Sequence, residues 1–292
     1  VAIAATLYND PACPWAYSAN PAFSVLRWRY RDGITWRLVV IVLHEEAGKG
    51  STPARQARSA RTFRDRYGMP FAAQPKERPI ATGRACRALV ATRLLHPGRE
   101  FAAMRALQFA WFNTTELLDH DEAIERVLAR VAGIDAKAVI AALDTPEVIA
   151  AYEADKTAAR SAAGGATDYQ GKAARDGALV RYTAPSIVFE HDGARLEVGG
   201  FQPLEAYDVA IANLDRSLER HLPPDGPLPL LAYFSDGLTT QEVASLLAPN
   251  LVDPDRTAAE EALIELAAEG AIVREPLGDD ALWHVAGVLA TT

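Results

Sequence analysis

Cysteine is nearly missing from this chain: 292 residues carry two, Cys13 and Cys86. A disulfide-stapled scaffold is thereby excluded, and two thiols this far apart make a zinc site a poor reading. The six histidines are scattered, with no His-x-x-x-His pair. There is no Gly-x-Gly-x-x-Gly after a strand, no P-loop lysine motif and no Gly-x-Ser-x-Gly elbow. Dinucleotide, nucleotide and serine-hydrolase chemistries therefore lose their usual signals. No apolar run reaches the ~18 residues of a membrane span, so no membrane partner is expected. Internal repeats and low-complexity tracts are absent too.

What remains is globular. Apolar residues make up 49% of the chain, ample for a packed core. The net charge of −8 hides a split. Residues 1–110 carry 17 Lys/Arg against 7 Asp/Glu, and the remainder 13 against 31, so a cationic first third faces an acidic rest. Two unpaired cysteines fit a reducing, cytoplasmic setting. The opening Val1–Tyr8 reads as a first strand rather than a signal peptide.

Asp10-Pro11 ends that strand. A helix is expected from Pro14 toward Tyr30, a turn at Asp32-Gly33, and a second strand from Ile34 to Leu43. Strand, helix, strand opens a parallel α/β sheet. No strand signal appears between Leu43 and Leu179, so residues 52–175 read as a helical insertion. Its helices are expected over Thr82–Leu95, Phe101–Phe112, Asp121–Val131, Ala136–Leu143 and Pro146–Arg160. Strands return at Leu179-Val180 and Thr183–Phe189. Leu196–Val198 is a hairpin partner, and a helix runs from Pro203 to about His221. The fold class is α/β, with a first domain over 1–222 and a Pro-rich linker over 223–228.

The segment with chemistry in it is Cys13-Pro14-Trp15-Ala16. A cysteine placed where a first strand hands over to a helix is favoured as a thiolate, because free amides and the helix dipole stabilise negative charge. Asp10-Pro11-Ala12-Cys13-Pro14-Trp15-Ala16-Tyr17 resembles the active-site segment of the DsbA-like thioredoxin superfamily. It is most similar to the FrnE-like and mycothiol-dependent oxidoreductase branch. Kappa-class glutathione transferases and 2-hydroxychromene-2-carboxylate isomerases belong to the same superfamily. The resemblance spans about residues 1–222. It implies a thioredoxin fold with a helical insertion and a cis-proline loop, which Thr183-Ala184-Pro185-Ser186 matches. Thr82-Gly83-Arg84-Ala85-Cys86 looks like the start of the inserted helix that faces the active site in relatives.

Ala16 departs from the family pattern, which has a second cysteine there. Three chemistries stay open. Cys13 could exchange disulfides as a lone thiol, resolved by a low-molecular-weight thiol such as mycothiol or glutathione, with a protein thiol among its partners. It could instead activate a bound thiol for transfer to, or isomerisation of, a small electrophile. Or the fold could be a binding scaffold without redox chemistry. Cys13 is the catalytic candidate. Pro14, Trp15, Ala16, Ala184 and Pro185 are the substrate-binding candidates, residue 184 offering backbone groups to an extended substrate. Cys86 is either a resolving thiol or a small apolar residue packing in a helix. His44 and Asn113 are weaker candidates. The Arg55, Arg58, Arg61, Arg64 series is either a solvated face or a cationic rim. No metal site and no tightly bound cofactor are expected.

Residues 229–292 read as helix, helix, hairpin, with a cap at Thr239 or Thr240 and a second helix over Thr257–Glu269. That is a winged-helix-like outline. From Pro229 onward, 2 basic residues stand against 11 acidic, so phosphate contacts are unavailable and no nucleic-acid partner is expected. The acidic tail is expected to serve as a packing unit, a homodimer contact or a lid over the cationic insertion.

Overall fold

The first strand decides where everything else goes. In the computed structural model, which describes residues 2–47 and 52–287, β1 (Ile3–Asn9) is buried along almost its whole length. It lies in the middle of a sheet. After it come α1 (Pro14–Ser18), α2 (Asn20–Tyr30) and β2 (Ile34–Val40). β1 and β2 are parallel, in register from Ile3 opposite Ile34 to Asn9 opposite Val40. The expected helix from Pro14 to Tyr30 is two helices, because the chain steps sideways at Ala19, which caps the first and opens the second. β2 is shorter than the expected Ile34–Leu43. Val42 takes a positive φ of 61°, and the turned chain lets the Leu43 N–H reach Asp10.

The insertion holds α3 (Pro53–Tyr67), α4 (Gly83–Leu95), α5 (Glu100–Asn113), α6 (Asp121–Leu128), α7 (Ala136–Ala142), α8 (Pro146–Ala159) and α9 (Ala166–Tyr169). Its helix starts are chemically marked. Thr52, Asp135 and Thr145 cap α3, α7 and α8 by accepting N–H bonds from residues three further on. Proline follows at the first position of α3 and α8. α3 stops at Gly68, left-handed at φ 76°.

One strand falls where none was expected. β3 (Ala173–Asp176) pairs antiparallel with β4 (Leu179–Tyr182) as a separate hairpin. The run Ala-Ala-Arg-Asp has little β propensity of its own; the turn at Gly177, φ 61°, folds it onto β4. β5 (Ser186–His191) and β6 (Ala194–Gly199) then complete the main sheet in the order β2-β1-β5-β6, with β5 antiparallel to both its neighbours. α10 (Leu204–Leu214) follows and stops short of the expected His221.

The tail comprises α11 (Pro227–Tyr233), β7 (Leu238–Thr239), α12 (Thr240–Leu247), α13 (Arg256–Ala268), β8 (Ile272–Leu277) and β9 (Asp280–Val285). Its sheet runs β7-β9-β8. The two expected helices and the terminal hairpin are present. The apolar run from Leu228 is a further helix, started by Pro227 inside the expected linker. The tail does not swing free. Leu230, Val243, Leu263 and Trp283 share one apolar core with Val25 and Trp28 of α2. Beneath it, Arg105 of α5 forks onto the buried Glu242 carboxylate, at 2.6 Å for the Nη2 to Oε2 contact. Ser24 donates to the same carboxylate at 3.1 Å. The opposite charges of the two regions thus meet at one buried pair.

Candidate active site

The turn after β1 builds the site. Asp10 is fully buried, and its carboxylate accepts N–H bonds from Ala12 at 2.9 Å and Leu43 at 2.8 Å. The Cys13 N–H returns to the Asp10 carbonyl at 3.1 Å. This tight turn delivers Cys13 as the N-cap of α1, with Pro14 as the first helical residue. Opposite it, the Ala184–Pro185 peptide is cis. The Cys13 thiol donates to the Ala184 carbonyl at 3.1 Å. Thr183 and Ser186 pin this loop: Thr183 Oγ1 donates to the Lys172 carbonyl, and Ser186 Oγ to the Thr183 carbonyl. Six candidates, Cys13, Pro14, Trp15, Ala16, Ala184 and Pro185, therefore lie on two facing segments.

The thiol itself departs from expectation. Cys13 is only 5% exposed and sits among Tyr8, Val39, Val180 and Tyr182. Burial pushes its pKa up to about 12, and the Asp10 charge pushes the same way. The amides of Ala16 and Trp15 and the Arg181 guanidinium pull in the other direction without winning. Two physical reasons explain the failure of the thiolate expectation. α1 has five residues, so its dipole is small. The sulfur also faces a carbonyl lone pair, a partner that suits S–H and not S⁻.

Trp15 points elsewhere. It is 42% exposed and packs edge-on against Phe63 of α3 at 4.8 Å. Tyr67 and Phe201 complete the cluster, at 5.8 and 5.5 Å from Trp15. This aromatic ledge is the apolar surface next to the cysteine turn. Ala16 is wholly buried, so the position of the family's second sulfur offers only a methyl group and an amide.

The remaining candidates separate from Cys13. Cys86 is fully buried on α4 and donates its S–H to Asp10 Oδ2 at 3.7 Å. Both thiols are free and they are not close, so direct resolution of Cys13 by Cys86 does not fit. Burial and the Asp10 charge raise the Cys86 thiol as well. His44 is exposed beyond β2; its backbone is clasped to Thr82, whose N–H donates to the His44 carbonyl at 2.7 Å. Asn113 belongs to the seam with the tail. It donates to Tyr17 Oη at 3.2 Å, and its Oδ1 lies where a side chain at Gly278 would collide. The Arg55–Arg64 series is a largely solvated face of α3, with Arg64 reaching Asp279 of the tail at 3.3 Å.

Two residues escaped the sequence reading. Asp10 ends the first strand and opens the motif but is given no role of its own there, yet it touches the turn, the β2 exit and Cys86. Arg181 had no local signal. It is half-buried and donates to the Tyr182 carbonyl, and burial and the nearby Arg160 charge lower its own acidity constant. It is the cation whose field reaches Cys13.

A cysteine capping the first helix after the central strand, facing a cis-proline loop, defines a thioredoxin-type fold with a thiol at its active-site position. The chain matches the DSBA-like thioredoxin domain family over residues 6–164 and belongs to it. Among solved structures it is similar to the cytosolic disulfide reductase DsbM of Pseudomonas aeruginosa, at 15% identity and a TM-score of 0.51, covering 74% of this chain and 98% of that one. The same enzyme with GSH gives a TM-score of 0.52 at the same identity and coverage. A probable DsbA oxidoreductase of Streptomyces coelicolor matches at 19% identity and a TM-score of 0.55, over 74% of this chain and 91% of that one. At these identities the likeness is one of fold. No curated protein matches. No helix among the described residues is long and apolar enough to cross a membrane.

Proposed function

We propose that this DsbA-like protein is a thiol–disulfide oxidoreductase that works through Cys13 alone, with a low-molecular-weight thiol as its second reactant. The observation that carries this reading is the facing of Cys13 Sγ and the Ala184 carbonyl at 3.1 Å across the cis-proline loop. A disulfide laid along that loop would lie beside the sulfur. Cys13 gives up its thiol proton and the thiolate attacks the small-thiol sulfur of a protein–glutathione or protein–mycothiol mixed disulfide; a Cys13–small-thiol disulfide forms, the substrate S–S bond breaks, and the protein sulfur leaves as a thiolate that takes up a proton. With Ala16 in place of a second cysteine, an external thiolate attacks the Cys13 mixed disulfide next. It regenerates Cys13 and leaves as the oxidised small-molecule disulfide. Glutathione and mycothiol are the thiol class in view, and a DsbM structure solved with GSH supports starting with glutathione. The aromatic ledge of Trp15, Tyr67 and Phe201 supplies an apolar contact for the group carrying the disulfide. A reducing cytoplasm suits a chain with two free cysteines.

A second reading has its own observation. Cys13 is buried and held protonated, and this favours a binding scaffold built on the thioredoxin fold. The discriminating experiment is mass spectrometry after incubation with oxidised glutathione or oxidised mycothiol. Exchange requires an adduct on Cys13, lost in Cys13→Ser and cleared by the reduced thiol. Absence of any adduct in the folded protein, with Cys13 labelled normally after denaturation, leaves the scaffold.

A further inference from the structure

The structure assigns a second ligand site, away from Cys13, to the cleft between α2, the start of α5 and the tail: a site for a compact oxyanion. The cleft encloses about 210 Å³. Arg27, Arg99 and Arg105 line it, with Phe101, Tyr233 and Phe234 as its apolar walls. Two of these cations are already answered. Arg99 meets Asp236 at 2.9 Å, and Arg105 is committed to Glu242. Arg27 is not. Among the described residues it makes no ion pair; its guanidinium lies over the Phe101 ring at 5.4 Å. Its side chain is exposed to solvent in the cleft. Desolvation, and then the like charge of Arg105, works against its ionised form.

A guanidinium without a carboxylate partner, set in a walled cleft beside other guanidinia, presents a forked donor to an incoming anion. The first turn of α5 borders the same cleft, and no side chain caps it. A smaller cavity of about 50 Å³ shares Ser24, Arg27, Phe101 and Arg105 with the first and continues inward to Asn9, the residue before Asp10. The dimensions suit a phosphate group or a short dicarboxylate. Both have the same chemistry: two or three oxygens that accept a forked pair of N–H bonds.

The test uses the full chain, titrated at constant ionic strength with inorganic phosphate and, separately, with malonate. Tryptophan fluorescence reports directly, because Trp28 packs edge-on against Tyr233 at 5.4 Å. Saturable binding of either ion is expected, and the tighter of the two identifies the headgroup. Arg27→Gln is expected to weaken it at least tenfold, while the exposed Arg130→Gln leaves it unchanged. Backbone amide shifts in the wild-type protein give an independent map and are expected to cluster at Gly98, Ala102 and Gly237. The site is disproved by no saturable binding of either ion. Equal affinity in Arg27→Gln, equal loss in Arg130→Gln, or amide shifts centred elsewhere would overturn it as well.

Discussion

Asp10 beneath the cysteine and Glu242 beneath the tail are both fully buried carboxylates, yet their acidities move in opposite directions. Burial raises Asp10, and the N–H bonds from Leu43 and Ala12 only partly offset it. Burial raises Glu242 too, but the Arg105 charge and hydrogen bonds, with further bonds from Thr239, take it below the usual carboxylate range. The difference is one guanidinium. Hydrogen-bond dipoles only partly offset burial here, whereas a forked cation outweighs it. The seam therefore favours the ionised form of its carboxylate, while the cysteine turn works against ionisation: Asp10, Cys13 and Cys86 all have raised values.

The largest effect that could break this contrast lies at Cys13. With a thiol pushed up to about 12, roughly one molecule in 10⁵ is thiolate at pH 7. Iodoacetamide labelling of the folded protein should therefore be slow at neutral pH and still rising at pH 10. A plateau below pH ~8.5 would show that the turn stabilises the thiolate after all. Asp10→Asn sharpens the test by removing the neighbouring negative charge. Its labelling profile should move down by about one unit, a tenfold rate gain at fixed pH.

The seam offers the next largest effect. Arg105→Met strands a buried carboxylate, and removing one partner of a buried pair typically costs ~3–5 kcal/mol. Urea unfolding followed by tryptophan fluorescence should show that loss. The double variant Arg105→Met, Glu242→Leu should recover much of it, since no charge is then left unpaired. Equal destabilisation in the single and double variants would mean that packing, and not charge, holds the tail.

How much of this was readable beforehand follows from distance along the chain. Cys13-Pro14-Trp15 and Thr183-Ala184-Pro185 were legible because each is a local pattern with a local consequence. The Thr239 cap was legible too: Thr239 and Glu242 form a reciprocal capping box three residues apart. The burial of Cys13 was not. It belongs to an apolar cluster that includes Val180 and Tyr182, brought over by the β3–β4 hairpin, and that hairpin begins in a run without strand character. The charge split between the two parts hinted at docking. It could not show that Arg105 and Glu242, 137 residues apart, would be the pair that counts. Arg181 acts on the cysteine only through space, and nothing in its neighbours announces it.

The smallest effect concerns how firmly Glu242 is held in its ionised form. The Thr239 N–H donates to Glu242 Oε2 at 2.8 Å, and the Glu242 N–H returns to Thr239 Oγ1 at 3.3 Å. Thr239→Ala keeps the first bond and loses the second, at a cost of ~1 kcal/mol. The pH dependence carries a sign. Glu242 has a depressed folded value, so its contribution is present above the unfolded carboxylate value of about 4.3 and is lost as pH falls through the folded one. Losing the hydroxyl bond to the carboxylate, 2.9 Å in the wild type, brings the folded value back toward the unfolded one. Acid unfolding of Thr239→Ala should accordingly begin at a slightly higher pH than in the wild type, with the two stability curves differing least at low pH, where Glu242 is protonated in both. A constant gap at every pH would mean that the hydroxyl matters only as a helix cap, and that Arg105 alone sets the charge at the seam.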